Sequence, residues 1–291
     1  MPLPTPSPAS SSNAPNASPQ VVAVLTQLLE ARTGQQLVSS RAWRVDTALK
    51  PLLRERGLDT LDQLVAALLG GTEPMLADQI VDALINNETS FFREAPTFDA
   101  VVDAVSSIEA QGRRARLWSA GCSSGQEPLS LAMLFSERRE ATGTAMPDIL
   151  ATDVSESTIS RARQGRFSQF EIQRGLPIRR AMRWFEATPA GEWVASPDLL
   201  RQVSFRGVNL MAETWPAGRF DVILCRNVLL YFSAEVKARV FARLADALRP
   251  GGVLVLGAGE TVIGQTDRFE PSARFRGFYE PAGATARARV A

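Results

Sequence analysis

The stretch ARLWSAGCSSGQEPLSLAM, residues 115–133, contains a short apolar run, a turn with two glycines and a second apolar segment. This order predicts a buried strand that ends near Gly121, a tight turn, and a helix that begins after Gly125. Glycine in such a turn lets the backbone approach a ligand closely. The three-glycine dinucleotide fingerprint and the phosphate loop are absent, so a ligand here need not carry phosphate. Taken alone, the turn fits an ordinary tight connection equally well.

Downstream of this turn, strand-like and helix-like segments alternate. Further strands are predicted in MPDILATD, FDVILCRN and GVLVLGAGE, and helices in EPLSLAMLFSERRE, SESTISRARQG and SAEVKARVFARLADALRPGG. This alternation predicts a parallel sheet with helices on both faces. Ligands of such sheets bind outside the carboxyl ends of the strands. We therefore expect Gly121, Asp153, Asn227 and Glu260, which end the four strands, to lie at one edge of the sheet.

The pattern also predicts how the chain divides. We expect a disordered tail at residues 1–19, a helical domain at 20–95, a linker at 96–112 and the α/β domain at 113–291. Pro51 predicts a break or kink within the helical domain. The alternation fails between Phe167 and Phe205. A helical piece followed by a small antiparallel insertion, at about 168–206, is predicted there.

Composition excludes several classes of chemistry. The chain has 291 residues, 2 cysteines, no histidine and a formal net charge of +1. The missing histidine excludes Ser-His-Asp and Cys-His catalytic systems and histidine-ligated zinc, and two isolated cysteines form no metal site. The small net charge predicts no nucleic-acid partner. The absence of a signal peptide, a membrane-spanning run and a heptad seam predicts a cytoplasmic monomer without membrane insertion.

Polar residues at the strand ends each have two readings. Asp153 could accept hydrogen bonds from ribose hydroxyls or could cap the next helix. Glu127 could bind a cationic or hydroxyl group of a ligand, although its place in the first helical turn is favourable in any case. Asn227 could be a helix cap, and Tyr231 could be a core residue. A glycine turn, an acid after the second strand and a polar residue after the fourth together suggest S-adenosylmethionine binding.

At this point the motifs resemble the chemotaxis receptor methyltransferases, the CheR family. The resemblance runs from Val21 to Tyr279 and includes NETSFFRE, AGCSSGQEP, ATDVSESTISRARQGRFS, FRGVNL, FDVILCRNVLLYF and LRPGGVLVLGAGE, in the family's order. It implies an α/β fold with a Rossmann-like S-adenosylmethionine-dependent methyltransferase domain, an inserted antiparallel β-subdomain and an all-helical N-terminal domain. It also implies methyl transfer to glutamates on the cytoplasmic helical bundle of chemoreceptors, with S-adenosylhomocysteine as product.

The resemblance assigns residues to this reaction. Its pattern N-x-T-x-F-F-R begins at Asn87, and Phe91 and Phe92 within it are expected mainly to pack. The expected cofactor ligands are Asn87, Thr89, Arg93, Gly121, Glu127, Asp153, Asn209, Leu210, Asn227 and Val228. Arg93 and Tyr231 are expected to place the acceptor carboxylate, and no metal is implied. The sequence departs from the family pattern at Gln126, where many members have an acid, and at Phe167, where tyrosine is common.

A basic run in the helical domain is usually only a solvated face. In the CheR family, however, a basic helix of this domain meets the receptor, so docking is predicted through some of Arg41, Arg44, Arg54 and Arg56. Some members also bind a pentapeptide at the receptor's C-terminus through a longer glycine-rich loop. The stretch EATPAGEWVASPDLL has the single glycine Gly191 and no Gly-x-Gly-Tyr. Independence from that tether is therefore predicted.

Three other functions stay open on the sequence. The chain could be a nonenzymatic S-adenosylmethionine-binding signalling module, although the retained cofactor positions and Tyr231 disfavour this. It could methylate another acceptor, but the Asn-Pro-Pro-Tyr/Phe motif of many amino-group methyltransferases is absent. A nicotinamide dehydrogenase is disfavoured because the three-glycine fingerprint is missing.

Overall fold

The computed structural model describes residues 18–37, 43–71 and 73–283. They divide into two compact units: the first runs to Leu84 without Thr33–Gln35, and the second contains Thr33–Gln35 and the chain from Ile85 onward. Across the described ranges, every helix is too short or too polar to cross a membrane. The predicted tail lies outside the described residues apart from its last two positions, and Pro19 already begins the first helix.

The first unit consists of helices. They are α1 Pro19–Thr33, α2 Trp43–Arg56, α3 Leu61–Gly70 and α4 Leu76–Leu84. Helix α3 begins with a capping box between Thr60 and Gln63 and ends at Gly71 in the left-handed conformation, both of which are strong local signals for a helix. The apolar faces form one core of Val21, Leu25, Val45, Leu49, Leu52, Leu61, Leu64, Val65, Leu76 and Ile80.

Of the break or kink predicted at Pro51, the break is wrong, because helix α2 is continuous across this residue. Proline removes one backbone hydrogen bond, which would join its nitrogen to the carbonyl of Thr47. Thr47 and Pro51 are both exposed, so water can solvate that carbonyl. Leu49 and Leu52 on either side of the proline are buried. Their packing stabilises the helix on the opposite face.

The second unit alternates strands and helices. In chain order they are α5 Ala95–Glu109, β1 Arg116–Ala120, α6 Gln126–Thr142, β2 Asp148–Asp153, α7 Glu156–Gln164, β3 Arg166–Ser168, α8 Gln169–Gln173, α9 Ile178–Trp184, β4 Phe185–Ala187, β5 Glu192–Ala195, α10 Pro197–Leu200, β6 Val203–Gly207, β7 Phe220–Leu224, a 3-10 turn Leu229–Tyr231, α11 Ala234–Ala247, β8 Leu248–Val255, β9 Phe269–Pro271 and β10 Phe278–Pro281. The predicted strand–turn–helix at residues 115–133 is therefore present as β1 and α6.

Seven strands form the main sheet in the order β6-β2-β1-β7-β8-β10-β9. Strands β6, β2, β1, β7 and β8 are parallel, whereas β10 is antiparallel to β8 and β9. The chain leaves β1 toward β2 on one side and later continues from β7 on the other side. The strand order thus reverses between β1 and β7, and in open α/β sheets such a reversal opens a crevice at the carboxyl ends of the strands. The predicted fold class is confirmed.

A second sheet, in the order β3-β5-β4, is antiparallel and confirms the predicted β-subdomain. Its predicted limits of about 168–206 need correction. Strand β3 begins at Arg166, and β6, at Val203–Gly207, belongs to the main sheet because it pairs with β2 in parallel. The sequence around β6 has only short apolar runs, which an edge strand shares with a strand of a small subdomain.

The predicted linker at 96–112 is mostly helix α5. Phe98, Val101, Val105 and Ile108 recur at helical spacing and are buried in the core that lies against the main sheet. The boundary between the two units lies instead between Leu84 and Ile85. The periodicity of these residues is the signal that the linker interpretation overlooked.

Candidate active site

The turn after β1 forms one wall of a pocket. Gly121 has φ +77° and Gly125 has φ +95°, and this left-handed conformation favours glycine. A Cβ added at Gly121 would lie 2.4 Å from Cγ2 of Val228. The backbone N–H groups of Gly121 and Cys122 donate to the carbonyl of Thr152 at 2.8 and 2.9 Å. The turn is therefore held against β2, and only glycine fits at its tightest point.

Asp153 ends β2 and is buried at the same edge. Its Oδ2 accepts a hydrogen bond from the N–H of Ser123 at 2.8 Å, and its Oδ1 accepts one from the N–H of Ser155 at 3.1 Å. The cap of α7 is Ser155, whose Oγ accepts from the N–H of Thr158 at 3.1 Å. Asp153 is thus fixed by two N–H donors while it lines the pocket. It is not the side chain that caps α7.

The stretch Asn86–Glu94 contacts the turn after β1 and contributes residues to the pocket lining. Asn87 donates from Nδ2 to Oγ1 of Thr158 at 3.2 Å, and its carbonyl accepts from Oγ of Ser123 at 2.7 Å. Phe91 and Phe92 are buried in the core, as predicted. Phe91 belongs to an aromatic cluster. The centroid of its ring lies 5.1 Å from that of Phe167 and 5.5 Å from that of Phe185, both in edge-to-face geometry. The two aromatics anchor the segment.

The loop after β7 forms the facing wall. Asn227 has φ +59°, an uncommon value for a residue other than glycine. Oε2 of Glu260 accepts from the N–H groups of Asn227 at 2.6 Å and Gly257 at 2.9 Å, and Oε1 accepts from Leu230 at 3.2 Å. The 3-10 turn that follows has no side-chain cap, so Asn227 does not act as a helix cap. One carboxylate therefore holds this strained loop.

Arg226 joins these walls, and its side chain is only 2% exposed. Its guanidinium donates to Oε2 of Glu127 at 2.8 Å, to Oε2 of Glu94 at 3.0 Å and to the carbonyl of Arg93 at 2.6 Å. Burial alone would lower the pKa of Arg226, but Glu127 and Glu94 together raise it above the ordinary value. The guanidinium therefore stays charged and fixes Glu127 at the pocket.

Residues far apart in the sequence close the pocket. Asn209 and Leu210 follow β6, and Thr33 and Gln35 come from the segment that packs with the second unit. Gln35 forms an isolated β-bridge with Phe232. Nothing in the sequence indicated that Thr33 and Gln35 would lie here, because the contact connects positions about two hundred residues apart.

All the predicted cofactor and catalytic residues line this one pocket, namely Asn87, Thr89, Arg93, Gly121, Glu127, Asp153, Asn209, Leu210, Asn227, Val228 and Tyr231. Sequence reasoning missed Asn86 and Arg226, which also line it. For Arg226 a signal existed, since an arginine that directly follows the buried run FDVILC must find a carboxylate. The individual ligand roles stay predictions.

The residues present fit S-adenosylmethionine. Two fixed carboxylates, Glu127 and Asp153, can accept hydrogen bonds from an ammonium group and from ribose hydroxyls. Asn209 and Asn227 provide amide groups for a base edge, and Gly121 allows close backbone approach. Among the residues that the structure describes, no cluster of acidic or cysteine side chains could hold a metal ion.

Comparison with known proteins identifies the family. A family model described as "CheR methyltransferase, SAM binding domain" matches residues 87–277. Chemotaxis protein methyltransferase Cher2 of Pseudomonas putida is 36% identical over 248 residues, covering 83% of this chain and 90% of that protein. Chemotaxis protein methyltransferase 1 of Pseudomonas aeruginosa is 37% identical over 251 residues, with the coverages 83% and 90%. The chain belongs to the CheR methyltransferase family.

CheR membership confirms the predicted enzyme class and cofactor: the protein is an S-adenosylmethionine-dependent methyltransferase. The alternatives of a nicotinamide dehydrogenase and of a nonenzymatic module are set aside. The two residues that depart from the CheR pattern, Gln126 and Phe167, lie outside the pocket lining. Gln126 is buried and accepts a hydrogen bond from Ser124 at 2.9 Å, and Phe167 packs in the aromatic cluster.

The predicted docking arginines belong to the first unit. Arg41 lies outside the described residues. Arg54 is exposed on α2 and Arg44 is half-buried there. Arg56 bonds Glu73 and Gln79 within the unit. Its position, four residues after buried Leu52, places it on the inner side of the helix, so it is the least available of the three described arginines.

Proposed function

We propose that this enzyme transfers the methyl group of S-adenosylmethionine to glutamate side chains on the cytoplasmic helical bundle of chemoreceptors. The products are glutamate methyl esters and S-adenosylhomocysteine, and the place of action is the cytoplasm. One observation supports a carboxylate acceptor: Arg93 and Tyr231 line the same pocket as the cofactor positions. A guanidinium and a phenol both donate hydrogen bonds, which suits an anionic acceptor better than an amine.

The chemistry needs little beyond alignment. A free glutamate has a pKa near ~4.3, so at neutral pH its carboxylate is already the nucleophile. A carboxylate oxygen forms a bond to the methyl carbon while the carbon–sulfur bond breaks, and the electron pair stays on sulfur. No proton moves, which agrees with a chain that contains no histidine. Proximity and orientation supply most of the rate effect, on the order of several kcal/mol.

The reaction class is tested by methyl transfer from methyl-labelled S-adenosylmethionine to a chemoreceptor cytoplasmic fragment. Mild base is then added to release methanol from any ester. Label that base releases as methanol supports carboxyl methylation. Label that resists base indicates another kind of acceptor and contradicts the proposal.

Arg93 and Tyr231 are proposed to place the acceptor carboxylate, and Arg93 is proposed also to bind the cofactor's own carboxylate. Tyr231→Phe and Arg93→Ala should therefore lower the rate of methyl transfer. Binding of S-adenosylhomocysteine should stay near wild type for Tyr231→Phe, because its hydroxyl is assigned to the acceptor. If both variants transferred methyl at the wild-type rate and bound the cofactor normally, the proposed roles of Arg93 and Tyr231 would be contradicted.

Receptor docking is proposed through the exposed side of α2. Arg54 lies there with Lys50, Arg44 is half-buried on the same helix, and Arg56 is engaged internally. Arg54→Glu should raise KM for the receptor fragment, and the rise should be larger at low salt because exposed charges are screened over about 8 Å at physiological ionic strength. Arg276→Glu, an exposed arginine of the second unit, is the matched control. Equal kinetics in both variants would refute docking by α2.

Independence from a receptor pentapeptide is also proposed. The connection from β4 to β5 is a short closed turn: the N–H of Thr188 donates to the carbonyl of Glu192 at 2.7 Å, and the N–H of Gly191 donates to the carbonyl of Thr188 at 3.0 Å. Such a turn offers no extended loop to hold a peptide. Calorimetry with the pentapeptide should show no binding, and measurable heat of binding would overturn this point. The enzyme is proposed to act as a monomer.

A further inference from the structure

The amide pair at the start of NNETSFFRE has one member without an assigned role. The CheR pattern begins at Asn87, yet Asn86 also lines the pocket, and its Nδ2 donates a hydrogen bond to Oη of Tyr231. We propose that Asn86 is a positioning residue for methyl transfer, which sets the place and polarity of the Tyr231 hydroxyl that meets the acceptor carboxylate. This inference rests on the proposed function.

The polarity follows from the chemistry of the two groups. The nitrogen of a side-chain amide only donates, so the phenol oxygen of Tyr231 is the acceptor in this bond. The hydroxyl hydrogen must then point away from Asn86. A carboxylate presents only acceptor atoms, and it needs that hydrogen. A hydrogen bond that the phenol oxygen accepts also polarises its O–H group and makes it a stronger donor.

Both partners sit on segments that other contacts hold in place. Asn87, next to Asn86, is fixed by Thr158 and Ser123. The loop that carries Tyr231 is fixed by the carboxylate of Glu260 through the N–H groups of Asn227 and Leu230. Asn86 and Tyr231 are both half-buried, which limits competition from water. The bond therefore joins two rigid walls of the pocket at the proposed acceptor position.

The kinetic test compares Asn86→Ala and Asn86→Asp in the wild-type and Tyr231→Phe backgrounds. Asn86→Ala should lower kcat about fivefold, the effect of one hydrogen bond between neutral groups, with binding of S-adenosylhomocysteine within about twofold of wild type. Asn86→Asp should lower kcat further, because its carboxylate accepts the hydroxyl hydrogen and turns it from the substrate. Neither substitution should change the rate much in the Tyr231→Phe background. Gln111→Ala, an exposed amide of the same unit, should behave as wild type.

A spectroscopic readout tests the hydrogen bond without turnover. The chain has only 2 tyrosines, Tyr231 and Tyr279, so tyrosine labelled with 13C at the ring carbon Cζ alone gives one signal for each, and Tyr279→Phe assigns them. Asn86→Ala should shift the Tyr231 signal and leave the Tyr279 signal in place. An unmoved Tyr231 signal, or an equal loss of kcat in the Tyr231→Phe background, overturns the role of Asn86. A wild-type enzyme that methylates no carboxyl acceptor instead overturns the proposed function itself, and the two failures are thereby distinguished.

Discussion

Replacing Arg226 by methionine should destabilise the second unit strongly. Methionine has a similar length but removes the guanidinium that bonds Glu127, Glu94 and the carbonyl of Arg93. The carboxylate of Glu127, whose side chain is 13% exposed, would then lose its cation in a poorly solvated place. Breaking a buried ion pair in this way costs about 3–5 kcal/mol. That is a large part of a typical free energy of unfolding of about 5–15 kcal/mol.

The assay is urea denaturation monitored by tryptophan fluorescence, since four of the five tryptophans lie in the second unit. Arg268→Met is the matched control because Arg268 pairs with Asp246 on the surface, with 49% and 69% side-chain exposure. Its cost should stay below about 1 kcal/mol. Adding Glu127→Gln to Arg226→Met should recover part of the loss. Equal small losses for Arg226→Met and Arg268→Met would refute the reasoning.

Three other substitutions and treatments give further expected outcomes. Calorimetry should show that Gly121→Ala weakens binding of S-adenosylhomocysteine at least tenfold, because the added Cβ would lie 2.4 Å from Val228. An unchanged Kd would contradict the role of this turn in cofactor binding. Glu260→Gln should lower kcat and stability together, because an amide nitrogen would face N–H donors; wild-type urea midpoints would argue against it. Burial raises the pKa of the Cys122 and Cys225 thiols, so little reactive thiolate forms at pH 7–8, and iodoacetamide should label neither until the protein is denatured.

The sequence predicted the central strands β1, β2, β7 and β8 because they are short apolar runs followed by polar or glycine residues, but it did not predict the parallel edge strand β6 or the antiparallel strands β9 and β10 of the same sheet. Asp153 is the last residue of β2 and Gly121 directly follows β1, whereas Asn227 and Glu260 lie in the loops after β7 and β8. The four strands are neighbours in one sheet. Local rules were less reliable where packing overrides them. Pro51 does not break α2, since buried leucines on the inner face stabilise the helix.

Two features of the site could not be read from sequence. The bond from Asn86 to Tyr231 joins residues 145 positions apart, and no local pattern specifies such a pair. Thr33 and Gln35 reach the pocket from the end of α1 only through tertiary packing. Arg226 is different, because a charge directly after a buried strand requires a partner. The sequence contains 31 acidic residues and does not single out Glu94 and Glu127 as the partners.

The most direct test of the pocket is a calorimetric titration of S-adenosylhomocysteine into the wild-type protein, into Glu127→Gln and into Glu140→Gln. Glu127 lines the pocket, whereas Glu140 pairs with Arg183 on the surface. Wild type and Glu140→Gln are expected to bind equally, and Glu127→Gln is expected to bind about tenfold more weakly, a difference of about 1.4 kcal/mol. An absence of binding to wild type, or the same Kd for all three proteins, would contradict this expectation.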